Sequence, residues 1–199
     1  MSKPAPTEHQ VLPLVVERWS PRAISPAPVS EEVLRSLFEA ARWAPSCYNE
    51  QPWAWIVATS AEPEEHAKLL SCLVDFNQIW AKTAPILAVA IFRDHFLKNG
   101  SANLHAGHDL GQAAAWLTVE ATSRGLVVHQ MGGLLPDKVR ELYQVPAGWT
   151  PLTALAIGEE GDPATLPEAL QGAERAPRAR RPLAQSVFTG AFGRSRSGL

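Results

Sequence analysis

The sequence predicts one domain of mixed class, either α+β or α/β, in which several helices surround a central sheet. Residues 84–92 are continuously apolar, which is typical of a strand buried on both faces. Leu34, Leu37, Phe38 and Ala41 recur at the spacing of one helical face. The 199 residues show few tight hairpin signals and no internal repeat, so helices and strands are expected to alternate within a single domain.

The N-terminal elements follow from helix caps and side-chain periodicity. Residues 1–13 are polar and contain three prolines, which predicts a loose arm. Ser30 is suited to cap a helix, the two glutamates that follow favour the positive end of its dipole, and Pro45 ends it. Residues 53–59 are rich in aromatic and β-branched side chains and predict a strand.

The later elements are read in the same way. The predicted order is a helix over 62–73, an irregular segment over 75–83, the buried strand over 84–92, a long helix over 103–124 ending at Gly125, a strand over 126–131, a helix opened by Pro136 and running to about Tyr143, and a strand over 151–157. Residues 158–176 predict an exposed loop. The domain is expected to span 14–193, between the arm at 1–13 and a flexible tail at 194–199.

Composition excludes several classes of protein. Hydrophobic residues make up 46%, charged residues 19% and the net charge is -2, so no bias toward nucleic acid is present. Cys47 and Cys72 form no disulfide framework. The N-terminus lacks a secretory signal, and the longest apolar run is shorter than the roughly 20 residues of a membrane helix. We therefore expect a cytoplasmic protein with neither a membrane nor a nucleic-acid partner.

The first polar cluster is Arg-Trp-Ser-Pro-Arg at residues 18–22. Arg18 and Arg22, with the Ser20 hydroxyl between them, are suited to bind a phosphate and a second anionic or polar group. Most charged side chains are simply exposed, so a surface loop is the alternative and, from this segment alone, the better one.

The second cluster lies at residues 45–53, where hydroxyl and amide groups stand between two prolines just before a predicted strand. A rigid polar turn of this kind can recognise the edge of a heterocycle through hydrogen bonds. The alternative is an ordinary helix-to-strand connection, because serine and asparagine are common in turns.

The third cluster consists of Arg178, Arg180 and Arg181. These arginines are suited to close over a phosphate, and the alternative is a solubilising basic tail.

Other kinds of site are not supported. The sequence contains no Rossmann glycine motif, no P-loop and no nucleophile elbow. His105, His108 and Asp109 lie on one predicted helix, but two histidines without a distant third ligand are more often surface or core residues. We therefore predict no metal.

Together and in this order, the three clusters resemble the nitroreductase-like family of FMN flavoproteins. Its most specific motif is similar to Asn-Glu-Gln-Pro-Trp at residues 49–53. The other matching segments are residues 17–22, 29–31, 40–46, 77–78 with 84–85, 109–111, 131–134 and 180–183. The resemblance covers roughly residues 14–193. Trp19 and Cys47 depart from the residues usual at their positions, and no long substrate-capping insertion is present.

The resemblance implies an α+β fold of three layers, with a central, mostly antiparallel sheet flanked by helices and a domain completed by dimerisation. It implies an FMN phosphate and ribityl chain held by Arg18, Ser20, Arg178 and Arg180, a pyrimidine edge beside Arg22 and Asn77, and backbone N–H groups of Gly132 and Gly133 near the flavin N5. The partner subunit would contribute Pro45, Ser46, Cys47 and Asn49. Gln51, Trp19 and Met131 complete the predicted contacts, and Trp80, Phe96 and His105 are predicted to line the substrate space.

The implied activity is electron transfer from NADPH or NADH, through FMN, to a small electron-poor molecule such as a nitroaromatic or quinone, by a ping-pong mechanism in a homodimer. The hydride chemistry would lie at the flavin N5, so no catalytic side chain is required. Two alternatives stay open at this point. One is the same fold with a specialised reaction: flavin fragmentation, reductive dehalogenation or dehydrogenation of a peptide-derived ring. The other is a flavin-binding module without enzymatic activity.

Overall fold

The computed structural model describes residues 3–198, which form seven α-helices and four strands. The helices are α1 (Pro13–Glu17), α2 (Glu31–Arg42), α3 (Pro63–Leu70), α4 (Asp75–Ala81), α5 (Ala106–Ser123), α6 (Pro136–Tyr143) and α7 (Glu168–Arg175). The strands are β1 (Trp53–Thr59), β2 (Ile86–Arg93), β3 (Leu126–Met131) and β4 (Trp149–Glu159). The predicted arm and tail extend to residues 1–2 and 199, which lie outside the described residues.

The four strands form one sheet in the order β1-β2-β4-β3, and every neighbouring pair is antiparallel. Strands β1 and β3 are therefore the edges and β2 and β4 the centre. Along β2 and β4 the register shifts between Ala90 and Ile91, next to the pairing of Ile91 with Pro151. Proline has no N–H to donate to the ladder, which accounts for an irregularity at this point.

Helices cover both faces of the sheet, which confirms the predicted three-layer α+β fold. Alternate residues of β2 point to opposite faces, with Leu87 and Val89 in one core cluster and Ala88 and Ala90 in the other. The first cluster includes Leu69, Trp80 and Val139 from α3, α4 and α6; the second includes Leu37, Ala41, Leu110, Ala113 and Leu117 from α2 and α5. The continuous apolar run predicted as a doubly buried strand is explained by this position.

Local signals placed several boundaries correctly. The Ser30 hydroxyl accepts the Val33 N–H at the start of α2, and Gly125 follows α5 with φ +75°. Pro136 is the first residue of α6. Helix α5 begins at Ala106, three residues later than predicted, because the Asn103 side chain accepts the His105 N–H in a turn before the helix.

Two predictions of irregular structure are wrong. The segment over 75–83 is mostly helix α4, whose buried residues Asn77 and Trp80 pack inward. The predicted loop over 158–176 contains a short 3-10 helix, Pro163–Thr165, and helix α7. The buried residue of helix α7 is polar, Glu174, so its burial carries no apolar signal in the sequence.

None of the helices within residues 3–198 is long and apolar enough to cross a membrane.

Candidate functional site

The segment at residues 18–22, here called the N-terminal motif, leads into a backbone held against the end of β4. Ser25 donates its N–H to the Glu159 carbonyl at 2.9 Å, and Gly161 donates to the Ala23 carbonyl at 2.8 Å. A side chain at Gly161 would lie 3.0 Å from the backbone of Ile24. This close approach favours glycine at position 161 and holds the segment that follows the two motif arginines.

The two ends of the chain meet at one group of arginines, here called the arginine cluster (Arg18, Arg178 and Arg180). Burial, followed by the positive charges of Arg178 and Arg180, lowers the pKa of Arg18. Burial and the charge of Arg180 likewise lower the pKa of Arg178. These like charges repel one another, so an anion bound between them would relieve the repulsion.

A cavity of about 540 Å³ adjoins this cluster. Its charged lining comprises the three cluster arginines, Arg181 and the single carboxylate of Glu8, so positive charge is in excess. The N-terminal arm closes another side, where Ala5 donates its N–H to the Val16 carbonyl.

The arginines of the cluster have different tasks. Arg178 donates from Nη1 to the carbonyls of Lys3 (2.9 Å) and Val16 (2.7 Å), and from Nη2 to that of Arg18 (2.8 Å). Most of its donors are therefore used in fastening the N-terminal segment. Arg18 bonds Ser20 Oγ at 3.1 Å and Arg180 is exposed, so these two guanidinium groups keep more donors for an anion than Arg178 does.

A second group lies around Arg22 and is here called the Arg22 surface (Arg22, Phe76, Asn77 and Gly133). The Arg22 guanidinium lies 5.8 Å from the centre of the Phe76 ring, and its Nε is buried without a hydrogen-bond partner. Asn77 donates from Nδ2 to the Gly133 carbonyl at 3.1 Å. A side chain at Gly133 would collide with the Asn77 amide and lie 2.8 Å from Val74 Cγ2, so glycine is required there.

The neighbouring Gly132 has open space around its Cα, whereas Met131 is a buried strand end that anchors the glycine pair. Trp19 points elsewhere, with Lys3 Nζ 4.6 Å from the centre of its ring.

Trp80 lies beneath this region rather than on it, which corrects the prediction that it lines the substrate space. Its side chain is 2% exposed, belongs to the core and packs against the His129 ring at 4.5 Å between centres. His129 in turn bonds from Nδ1 to the Pro21 carbonyl at 3.0 Å, so Nδ1 carries the proton. Trp80 and His129 therefore support the N-terminal motif through the hydrogen bond to Pro21.

The state of His129 gives a pH prediction. Burial lowers its pKa, Arg22 acts in the same direction, and the Pro21 bond opposes both. A histidine whose pKa falls on folding contributes stability that is present above its unfolded pKa of about 6.5 and is lost as pH falls below it toward the folded value.

We expect the free energy of unfolding of the unaltered protein to fall more steeply than that of His129→Gln when the pH is lowered from about 8 to about 5. Glutamine keeps a donor for the Pro21 carbonyl and does not titrate in this range. Urea denaturation at several pH values measures the difference. Parallel curves for the two proteins would contradict the assignment.

The turn at residues 45–51, here called the 45–51 turn, is backbone-strained. Tyr48, Asn49 and Gln51 have φ values of 52°, 55° and 46°, in the left-handed region that side-chain-bearing residues seldom adopt. Asp109 on α5, only 2% exposed, accepts the Cys47 N–H at 3.0 Å and holds the turn in place. Within the turn, Ser46 Oγ accepts the Gln51 N–H at 3.0 Å.

The 45–51 turn is distant from the Arg22 surface within one chain. The turn precedes β1, the Gly132–Gly133 pair follows β3, and these strands are the two edges of the sheet. Three strand spacings of about 4.8 Å put the edges roughly 14 Å apart. In residues 3–198 no hydrogen bond joins the two regions, so the structure of one chain does not bring the predicted contacts together with the Arg22 surface; these contacts are Pro45, Ser46, Cys47, Asn49 and Gln51.

Phe96 and His105 lie on the connection between β2 and α5. Phe96 contacts the Tyr48 ring edge-on at 6.0 Å between centres, which joins this connection to the 45–51 turn. His105 is exposed at the start of α5. An open cavity of about 740 Å³ beside them is lined by residues that include Asp94, His95 and Leu104.

The two surfaces fit the predicted cofactor. A phosphate dianion suits the arginine cluster, because guanidinium groups give charge-assisted bonds to phosphate. At the Arg22 surface, the unpartnered Nε marks a donor without an acceptor, and the open space at Gly132 lets a flat ring approach the backbone. Among residues 3–198 no group of three or more His, Cys, Asp or Glu side chains is arranged to hold a metal ion.

Sequence reasoning missed two buried carboxylates that organise the site. Glu174 accepts the backbone N–H groups of Arg22 and Ala23, and Asp109 accepts that of Cys47. Sequence reasoning placed Glu174 in a predicted loop. It considered Asp109 only as a metal ligand beside His105 and His108 and within the matching segment 109–111, so neither contact was predicted.

Known proteins resemble this chain over most of its length. The model of the nitroreductase family matches residues 15–159. A crystal structure described as an oxidoreductase containing FMN superposes with a TM-score of 0.89 at 35% identity, covering 94% of this chain and 96% of that chain.

Two curated relatives are more distant or shorter matches. The FMN reductase (NAD(P)H) of Bacillus subtilis is 28% identical over 171 residues, which cover 77% of this chain and 67% of the relative. A 15.4 kDa protein of Mycolicibacterium smegmatis is 42% identical over 89 residues. This match covers 45% of this chain and 60% of that relative's length.

Proposed function

The chain belongs to the nitroreductase family, and from this premise we propose that it is an FMN-dependent oxidoreductase that transfers electrons from NADH or NADPH to a small electron-poor acceptor, such as a nitroaromatic or a quinone. The convergence of Arg18 with Arg178 and Arg180, from opposite ends of the chain, carries the proposal. The FMN named in one similar structure and in the Bacillus reductase supports the same cofactor.

Arg18, Ser20 and Arg180 bind the cofactor phosphate in this proposal. Arg18 and Ser20 are already joined by a hydrogen bond, so guanidinium and hydroxyl are aligned as a pair. Arg178 holds the backbone of the motif through its carbonyl contacts. The excess positive charge of the cluster favours a dianion over a neutral ligand.

The Arg22 surface receives the flavin ring. FMN, when bound, supplies the hydride and electron transfer. The Arg22 guanidinium stabilises negative charge at the pyrimidine edge, and Asn77 contributes a polar side chain fixed by Gly133. Gly132, with no side chain, leaves the face of the ring accessible. Donor and acceptor would bind at that accessible face in turn, which is the ping-pong sequence included in this proposal.

A homodimer completes the site. The 45–51 turn lies at the opposite sheet edge from the Arg22 surface, so its polar groups reach a flavin only from the partner subunit. Trp43, directly after α2, is 68% exposed, and Trp116 and Val119 on α5 are 50% and 43% exposed, which provides apolar surface for such contact.

Visible absorption of the purified protein, followed by anaerobic titration with NADH and with NADPH, tests the proposal. We expect a yellow protein whose flavin is bleached by a nicotinamide and reoxidised by a quinone. Sedimentation equilibrium is expected to give twice the mass of one chain. A colourless protein that takes up no added FMN would refute the proposal, whereas bound flavin that neither nicotinamide reduces would refute the electron donor.

A further inference from the structure

We propose that Glu174, in the last turn of α7, is the positioning residue that sets the backbone of the N-terminal motif and so aims Arg22 at the flavin. The inference rests on the proposed function, since it assigns Arg22 to FMN.

One carboxylate oxygen of Glu174 holds two consecutive backbone groups. Oε1 accepts the Arg22 N–H at 2.8 Å and the Ala23 N–H at 3.0 Å. Two adjacent N–H donors directed at one oxygen fix the orientation of the peptide plane between them. The side chain of Arg22 begins at the Cα that joins these groups, so its starting direction is fixed as well.

The carboxylate is costly to bury, which indicates that its two bonds matter. Glu174 is 2% exposed, and a carboxylate withdrawn from water is stabilised only by donors in the protein. Backbone N–H bonds to a charged acceptor are stronger than those between neutral groups. Within residues 3–198, the hydrogen bonds of the Glu174 carboxylate go to the backbone and none goes to the Arg22 guanidinium, which is left to the ligand.

The segment from Glu174 to Arg178 also binds backbone carbonyl groups at the start of the N-terminal motif. Arg178, four residues after Glu174, donates to the carbonyls of Val16 and Arg18. The backbone carbonyl of Glu174 accepts the Lys3 ammonium. One short segment therefore provides an acceptor for the motif's N–H groups and donors for its carbonyls, and it couples both motif arginines to α7.

FMN affinity and flavin potential test this role. We expect Glu174→Ala to raise the FMN dissociation constant about tenfold and to make the flavin midpoint potential more negative, because Arg22 loses its fixed direction. Glu174→Gln keeps an acceptor oxygen and is expected to stay within about threefold of the unaltered protein. Glu168→Ala, an exposed glutamate in the first turn of α7, is the matched control and is expected to change neither quantity.

Glu174→Asp tests the positioning role of Glu174 if the alanine variant does not fold. Aspartate keeps the charge but withdraws the oxygen from the two N–H groups, so we expect weaker FMN binding and the same negative shift of potential. Fluorescence quenching of FMN and dye equilibration measure these changes. If alanine and aspartate variants match the unaltered protein, or if glutamine behaves like alanine, the inference is wrong. An unaltered protein that binds no FMN would instead refute the proposed function.

Discussion

Replacing Arg18 with alanine is expected to weaken FMN binding roughly tenfold to hundredfold, the effect of losing a hydrogen bond to a charged group worth about 1.5–3 kcal/mol. Arg18 is the cluster member whose pKa is lowered by burial and by both neighbouring arginines. Its guanidinium is already aligned by Ser20 at 3.1 Å. Titration of FMN-free protein with FMN, followed by fluorescence quenching, gives the dissociation constant.

Two further variants show whether the loss of FMN affinity depends on the charge and planar geometry of Arg18 or follows the removal of any arginine. Arg18→Lys keeps the positive charge without the planar fork, so its affinity is expected to lie between those of the alanine variant and the unaltered protein. Arg35→Ala on α2 removes an arginine whose side chain is 81% exposed and whose ion pair with Glu31 is 4.0 Å long, and it is expected to leave FMN binding unchanged. Equal affinity for Arg18→Ala and Arg35→Ala would show that the arginine cluster is not the phosphate site.

Replacing Arg22 with alanine is expected to lower the flavin midpoint potential by about 30–60 mV, taking about 1.5–3 kcal/mol for a charged contact and about 30 mV per 1.4 kcal/mol for a two-electron couple. The reason is that the guanidinium stabilises the negative charge gained on reduction. Spectroelectrochemistry or dye equilibration with xanthine oxidase measures the potential.

We expect the Arg22→Ala variant to keep the fold of the unaltered protein. Arg22 is only partly buried, and its Nε has no partner, so removing it also removes a desolvated donor. Arg22→Lys retains the charge and is expected to keep a potential close to that of the unaltered protein. A potential unchanged in Arg22→Ala would remove Arg22 from the flavin's charged edge while leaving the assignment of the arginine cluster intact.

Elements whose signals are local were predicted from the sequence with small errors. The Ser30 cap, the φ of Gly125 and the proline at the start of α6 each act within a few residues. Helices α4 and α7 were missed because their formation depends on distant partners. At the start of α4, Val74 donates its N–H to the Gly133 carbonyl, and α7 is fastened by Glu174 to the N-terminal motif.

The roles of individual site residues were less predictable. A resemblance in motif order indicated FMN correctly as the cofactor to test, but it gave Arg178 a phosphate contact. Most donors of that guanidinium instead bind backbone carbonyls. Trp80 was predicted to line the substrate space and is a core residue packed on His129. Both depend on side-chain directions that sequence spacing does not specify.

The sequence by itself determined the α+β class, the doubly buried strand β2, most element boundaries and the ordered motifs of the nitroreductase family. These features depend on periodicity, caps and residue types, which act within a few positions of the chain. The resemblance implied that Arg18, Arg178 and Arg180 share one phosphate, and the tertiary structure places all three at one cavity. Only the tertiary structure decided that Glu174 holds the N-terminal motif. It also decided that the 45–51 turn lies at the opposite edge of the sheet. Such contacts join residues more than a hundred positions apart, and strand order alone determines how far across the sheet they lie.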